Sequence, residues 1–86
     1  NQPNPFNPSR TIRYALPQGG PMSLIIYNWV GQQIRRLVVG AQKSAGYHAS
    51  VWGGADDLGR SVASVVYFAR FRSGDFAETR RMVLIR

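Results

Sequence analysis

His48 is the only imidazole in this chain of 86 residues, and cysteine is absent. A metal cage would therefore rest on His48 and carboxylates alone, because thiolates and further imidazoles supply most protein sites for zinc and its neighbours. The carboxylates number four: Asp56 and Asp57 side by side, and Asp75 and Glu78 further on. General acid–base work on a glycosidic or peptide bond needs two such groups held at a defined separation, and nothing in this spacing sets one up. Asp56-Asp57-Leu58-Gly59 offers oxygens to a calcium ion, yet it lacks the alternating acidic positions of a dedicated calcium loop. Its simpler reading is a turn in which Asp side chains bond back to the backbone and Gly59 admits positive φ. The serines at 9, 23, 44, 50, 61, 64 and 73 have no base partner besides His48 and no Gly-x-Ser-x-Gly elbow, and no phosphate-cradling glycine loop with its Lys occurs. The residues thus predict a binding or anchoring module, not an enzyme, with no cofactor and no metal. His48 reads as a structural residue on a strand.

Charge is the second chemical feature. Eleven Lys and Arg face four Asp and Glu, for a formal net charge of +7. Clustered arginines neutralise phosphates and displace counterions. Here the ten arginines are spread through every segment, mostly between apolar residues, as solvent-facing strand positions would be. The expectation is a solvated basic surface with no nucleic-acid partner. Trp52 and Tyr67 read as core residues with one polar handle each. Trp29, Tyr27 and Tyr47 are a candidate platform for stacking on sugars.

The elements that must position these residues are short. Residues 1–10 form a Pro- and Asn-rich lead-in that cannot enter a ladder, since proline lacks a donor and biases its predecessor towards extended backbone. Phe6 is its one anchor, expected to dock on the domain formed by residues 11–86. Residues 11–16 alternate Ile12, Tyr14 and Leu16 with polar or small residues, and residues 22–27 alternate Met22, Leu24 and Ile26, the period of half-buried strands. Residues 33–39 are strand-like, but Ile34 and Leu37 stand three apart, so a bulge or a helical turn intrudes. Strands are further predicted over residues 47–52, 62–72 and 78–86, separated by Gly, Pro and Asp turns. No helical period runs through ten residues. The pattern predicts an all-β fold, an antiparallel sandwich of six or seven strands, with a five-stranded oligonucleotide-binding barrel as the structural alternative.

Size sets further bounds. A chain of this length buries roughly 60–65% of its unfolded surface, enough for one thin core and too little for a core plus a deep cleft. Without cysteine no disulfide reinforces it. No apolar run approaches the ~18 residues needed to span a bilayer, so no membrane span is expected, and the amino end lacks the pattern of a signal peptide. The sequence opens on Asn1 instead of Met, from which we expect a longer parent upstream.

In order along the chain stand Asn4-Pro5-Phe6-Asn7-Pro8, Thr11-Ile12-Arg13-Tyr14-Ala15-Leu16-Pro17, Ile26-Tyr27-Asn28 with Gly31, Gly46-Tyr47-His48, Trp52 with Gly54, Asp56-Asp57-Leu58-Gly59-Arg60, Val66-Tyr67-Phe68 and Arg81-Met82-Val83-Leu84-Ile85-Arg86. This succession resembles a type IX secretion C-terminal sorting domain, similar in fold to the immunoglobulin-like domain of the flagellar hook-capping protein. The resemblance implies an immunoglobulin-like sandwich of about seven short strands at the end of a larger exported bacterial protein, whose catalytic domain would lie upstream of Asn1. It implies recognition by outer-membrane secretion machinery, a secreted or cell-surface location, and a recognition element at Arg80, Arg81, Met82, Val83, Leu84, Ile85 and Arg86. Unpaired strand edges would also give two copies a template for pairing.

The chain departs from the family pattern at Gly53 and Ala55, where an acidic and a basic residue are usual, at Val65, usually glycine, and at Ser50, usually apolar. Loss of an exposed ion pair costs roughly 0–1 kcal/mol, so the fold should survive the first two. Val65 is expected to keep ordinary β geometry. Ser50 either leaves the core underpacked or marks a strand of different phase. The alternative functional reading is a polysaccharide- or polyanion-binding accessory module of a secreted enzyme.

Overall fold

The computed structural model describes residues 9–63 and 66–85, and these form an all-β sandwich of two antiparallel sheets. Six strands occur among the described residues: β1 (Arg10–Leu16), β2 (Gly20–Asn28), β3 (Gln33–Lys43), β4 (Gly46–Trp52), β5 (Val66–Ser73) and β6 (Phe76–Val83). One sheet is the pair β1-β4; the other runs β3-β2-β5-β6. The docking of Phe6, the backbone of Val65 and the placement of Arg86 lie outside the described residues.

Period-2 alternation builds the core directly. Ile12, Tyr14 and Leu16 of β1, Met22, Leu24 and Ile26 of β2, and Tyr67, Ala69 and Phe71 of β5 all face inward and are buried. Met82 and Leu84 close it from the far side. β4 contributes least: Gly46, His48 and Ser50 on its inner side are only half-buried, and Trp52 is its one fully buried residue. Ser50 pairs with Ile12 and shares its inward side, so the strand has the expected phase and the polar residue sits at the core margin.

The irregularity predicted in β3 is a set of bulges. Between Gly20↔Lys43 and Tyr27↔Gln33 the register against β2 shifts three times. Each extra residue on β3 reverses which side chain faces in, so Ile34, Leu37 and Val38 all pack against the core despite their spacing. Gly40 adopts φ +64°, the left-handed geometry of a glycine bulge, and its amide donates to Ser23 Oγ at 3.1 Å.

Of the strand predicted over residues 62–72, Val62 and Ala63 stay outside and Val66 onward forms β5, and a seventh strand does not form among the described residues. The stretch after β4 is a loop closed by the bridge Ala55↔Ser61, and the Val62 amide bonds the Gly54 carbonyl instead of a ladder. Trp52 Nε1–H donates to the Ala55 carbonyl at 2.9 Å, and its ring meets Tyr67 edge-on at 5.0 Å. Tyr67, near the start of β5, donates its hydroxyl to the Ala63 carbonyl four residues upstream at 2.9 Å, the arrangement of a tyrosine corner in immunoglobulin-like folds.

Two substitutions test this account by urea denaturation. Leu24→Ala, at a position with no exposure, should cost about 2–5 kcal/mol. A Cβ at Gly40 meets nothing within 4 Å, so only backbone strain acts there. Gly40→Val should lose at least about 1–2 kcal/mol and Gly40→Asn clearly less; equal losses would contradict the bulge assignment.

Candidate recognition surface

The segment expected to carry recognition is divided between two faces. Ala69↔Arg80 and Phe68↔Arg81 are cross-strand pairs, so Arg80 lies on the core side of β6 and Arg81 on the outside. Met82 and Leu84 are buried, whereas Val83 and Ile85 are exposed. Arg80 works inside the fold. One guanidinium nitrogen donates to the Arg13 carbonyl on β1, the other reaches Glu78 Oε2 at 3.1 Å, and the cation lies 5.1 Å from the Phe71 ring centre. It therefore ties the edge of one sheet to the other. The phase of β6, counted back from Met82 and Leu84, carries this signal in the sequence. What β6 and the two residues after it offer a partner is Arg81, Val83 and Ile85.

β6 is an outer strand of its sheet. The opposite edge, β3, is covered near its start. The Asp57 amide donates to the Ile34 carbonyl at 3.0 Å and the Arg36 amide donates to Asp57 Oδ1 at 2.9 Å, so Asp57 substitutes for a neighbouring strand. Its carboxylate also lies within 4 Å of the Arg35 and Arg36 guanidinium groups. Sequence reasoning identified the turn but not this long-range attachment, which depends on the path of the loop.

Asp56 serves the loop itself. Its Oδ1 accepts the Leu58 and Arg60 amides at 3.0 and 2.9 Å, and Oδ2 accepts Arg60 Nε at 2.9 Å. The two neighbouring carboxylates are thus engaged with different donors, which favours the turn reading over a calcium site. Among the described residues no group of three or more His, Asp or Glu converges. His48 stacks on Tyr14 at 5.5 Å and its Nε2–H donates to the Ser44 carbonyl at 2.7 Å, a structural role. The Tyr14 hydroxyl is buried without a hydrogen-bond partner among the described residues.

Gly53 and Ala55, where the resembled pattern has other residues, are accommodated locally. A Cβ at Gly53 would meet nothing within 4 Å, and Ala55 acts on Trp52 through its backbone carbonyl, so neither position depends on the usual side chain. Of the proposed aromatic platform, Tyr27 and Trp29 border a shared concavity with Phe68, while Tyr47 lies on β4 in the other sheet.

The Arg60 amide, foremost, with the Arg60 guanidinium and the Leu58 amide, holds the Asp56 carboxyl below the usual carboxylate range, against an opposing desolvation effect. A lowered value means that the folded chain binds this proton less readily than the unfolded one. The stabilisation is then present above about pH 4 and is lost as pH falls through the depressed value. Asp56→Asn keeps an oxygen for the amides but removes the charge. Thermal midpoints of the two proteins should differ near neutral pH and converge in acid, and a gap constant across that range would refute the assignment.

No family model matches the chain, and no curated protein matches it. Among solved structures, that of FlgD from P. aeruginosa superposes with a TM-score of 0.67 at 20% identity, covering 88% of this chain. The match spans 59% of the FlgD chain, less than two thirds of its length. FlgD is the flagellar hook-capping protein whose immunoglobulin-like domain the sequence resembles, and the likeness places this chain in the same fold.

Proposed function

We propose that the chain is a non-catalytic sorting and surface-anchoring module of a larger exported bacterial protein, read by type IX secretion machinery at the outer membrane. The observation that carries this reading is the construction of β6. Arg80 and Met82, with Leu84 just beyond the strand, fix it to the fold, and Arg81 and Val83, followed by Ile85, are exposed at the border of the sheet. A strand with one apolar side anchored and one mixed basic and apolar side presented suits recognition by an edge-pairing partner, since backbone groups give affinity and alternate side chains give specificity. The immunoglobulin-like fold and the collinear motifs support the same reading. The activity of the exported protein would then belong to its upstream catalytic domain.

Fusion of residues 1–86 behind a reporter, in a bacterium possessing this secretion system, tests the proposal. The reporter should reach the cell surface or the medium; its retention in the periplasm would overturn the reading. Outward and inward positions separate recognition from folding. Arg81→Glu with Ile85→Glu should leave the thermal midpoint nearly unchanged and block export, whereas Leu84→Ala should destabilise the domain by about 2–5 kcal/mol. Full export of the outward double variant would exclude β6 as the element that is read.

A further inference from the structure

The outer face of the four-stranded sheet carries a feature of which the sorting reading uses Arg81 alone. Cross-strand pairing places Ile25, Arg70 and Thr79 in one row, with Tyr27, Phe68 and Arg81 in the next and Ser23, Arg72 and Ala77 on the other side. None of these nine residues is acidic. The ion pairs among the described residues engage Arg35, Arg36, Arg60 and Arg80 and leave Arg70, Arg72 and Arg81 without a carboxylate partner. Arg70 and Arg72 stand two apart on β5, about 6.7 Å along the strand, and Arg81 is a diagonal neighbour of Arg70 about 7–8 Å away.

At the end of this basic track is a shallow concavity of about 300 Å³, bordered by Tyr27, Trp29, Phe68, Arg70 and Thr79. Trp29 is 71% exposed, although it sits in a tightly bonded turn. Asn28 Oδ1 accepts the amides of Val30 and Gln32 at 3.1 and 2.9 Å, Asn28 Nδ2 donates to Gln32 Oε1 at 2.8 Å, and the backbones of Asn28 and Gln32 are bonded as well. The backbone that carries this large ring is therefore fixed, which lowers the freedom lost when the ring binds.

We propose that this face binds an acidic polysaccharide, with one uronate-type sugar lying against Trp29 and its carboxylate on Arg70, and the chain continuing over Arg72 or Arg81. The concavity is of the size that takes a single small ring, at the low end of ligand pockets. An Arg fork matches a carboxylate in two parallel hydrogen bonds. Thr79 supplies a hydroxyl at the border for the sugar's own hydroxyls. Single-stranded nucleic acid would also find cations and an aromatic ring, but its successive bases each require a stacking partner, whereas here one largely exposed ring stands beside two half-buried ones.

Affinity electrophoresis and calorimetry of the 86-residue chain against polygalacturonate test the proposal, with the methyl-esterified polymer as the neutral counterpart and a single-stranded oligonucleotide as competitor. Polygalacturonate should bind and its methyl ester should not. Trp29→Ala and Arg70→Gln should each weaken binding at least about tenfold, or 1.4 kcal/mol, with unchanged circular dichroism. Trp29→Phe should retain most of the affinity, and Arg13→Gln on the opposite sheet should have no effect. Equal binding of the methyl ester, preference for the oligonucleotide, full binding by Trp29→Ala, or no binding of polygalacturonate would each overturn the assignment. Export of a reporter fusion is a separate readout, so failure here leaves the sorting proposal standing or falling on its own.

Discussion

The molecule depends on the contact between Trp52 and Tyr67. One sheet has four strands among the described residues and the other has two, and the inner side of β4 is glycine, histidine and serine until Trp52. A chain this small has no second core to compensate for a gap there. The edge-to-face pair fills the space, and each ring satisfies its polar atom on a nearby carbonyl, at Ala55 for the indole and Ala63 for the phenol. Those two carbonyls lie at either side of the loop between β4 and β5. The rings therefore hold the sheets together and fix the loop as well, which places Asp56 and Asp57 where they act.

From that placement follows the distribution of charge. Asp56 and Asp57 compensate arginines around the loop and β3, and Glu78 compensates Arg80 beneath the sheet. With only four carboxylates in the sequence, the outer face of β2, β5 and β6 keeps its positive charge. The formal charge of +7 is thus unevenly expressed, and the composition alone carries no sign of it.

Much of the architecture is legible in the sequence because period-2 alternation is a local signal. β1 and β2 lie where Ile12, Tyr14, Leu16 and Met22, Leu24, Ile26 place them. β3 is legible only as a disturbance, since the three-residue spacing of Ile34 and Leu37 shows that the phase breaks without showing that three bulges extend the strand to Lys43. Residues 62 and 63 look like strand by composition, yet the Val62 amide is taken by Gly54, a partner that no local pattern specifies. The segment from Arg80 to Ile85 shows the same difficulty: its basic and apolar composition suggests one exposed tail, while the alternation through β6 and the residue after it turns Arg80, Met82 and Leu84 inward. The attachment of Asp57 to β3, 21 residues away, requires the path of the chain to be known.

The Asp57 attachment makes the four-stranded sheet unequal at its ends. One border is covered at Ile34 and Arg36 by the chain's own loop, and the other, along β6, has no strand beside it among the described residues. A layer that is free on both sides can add neighbours indefinitely, as fibrils do; a layer free on one side can accept a single visitor and then stops. This sheet can offer its β6 backbone to a receptor, or to one twin in a closed two-fold pair, while the covered stretch at Ile34 and Arg36 hinders growth from its other end.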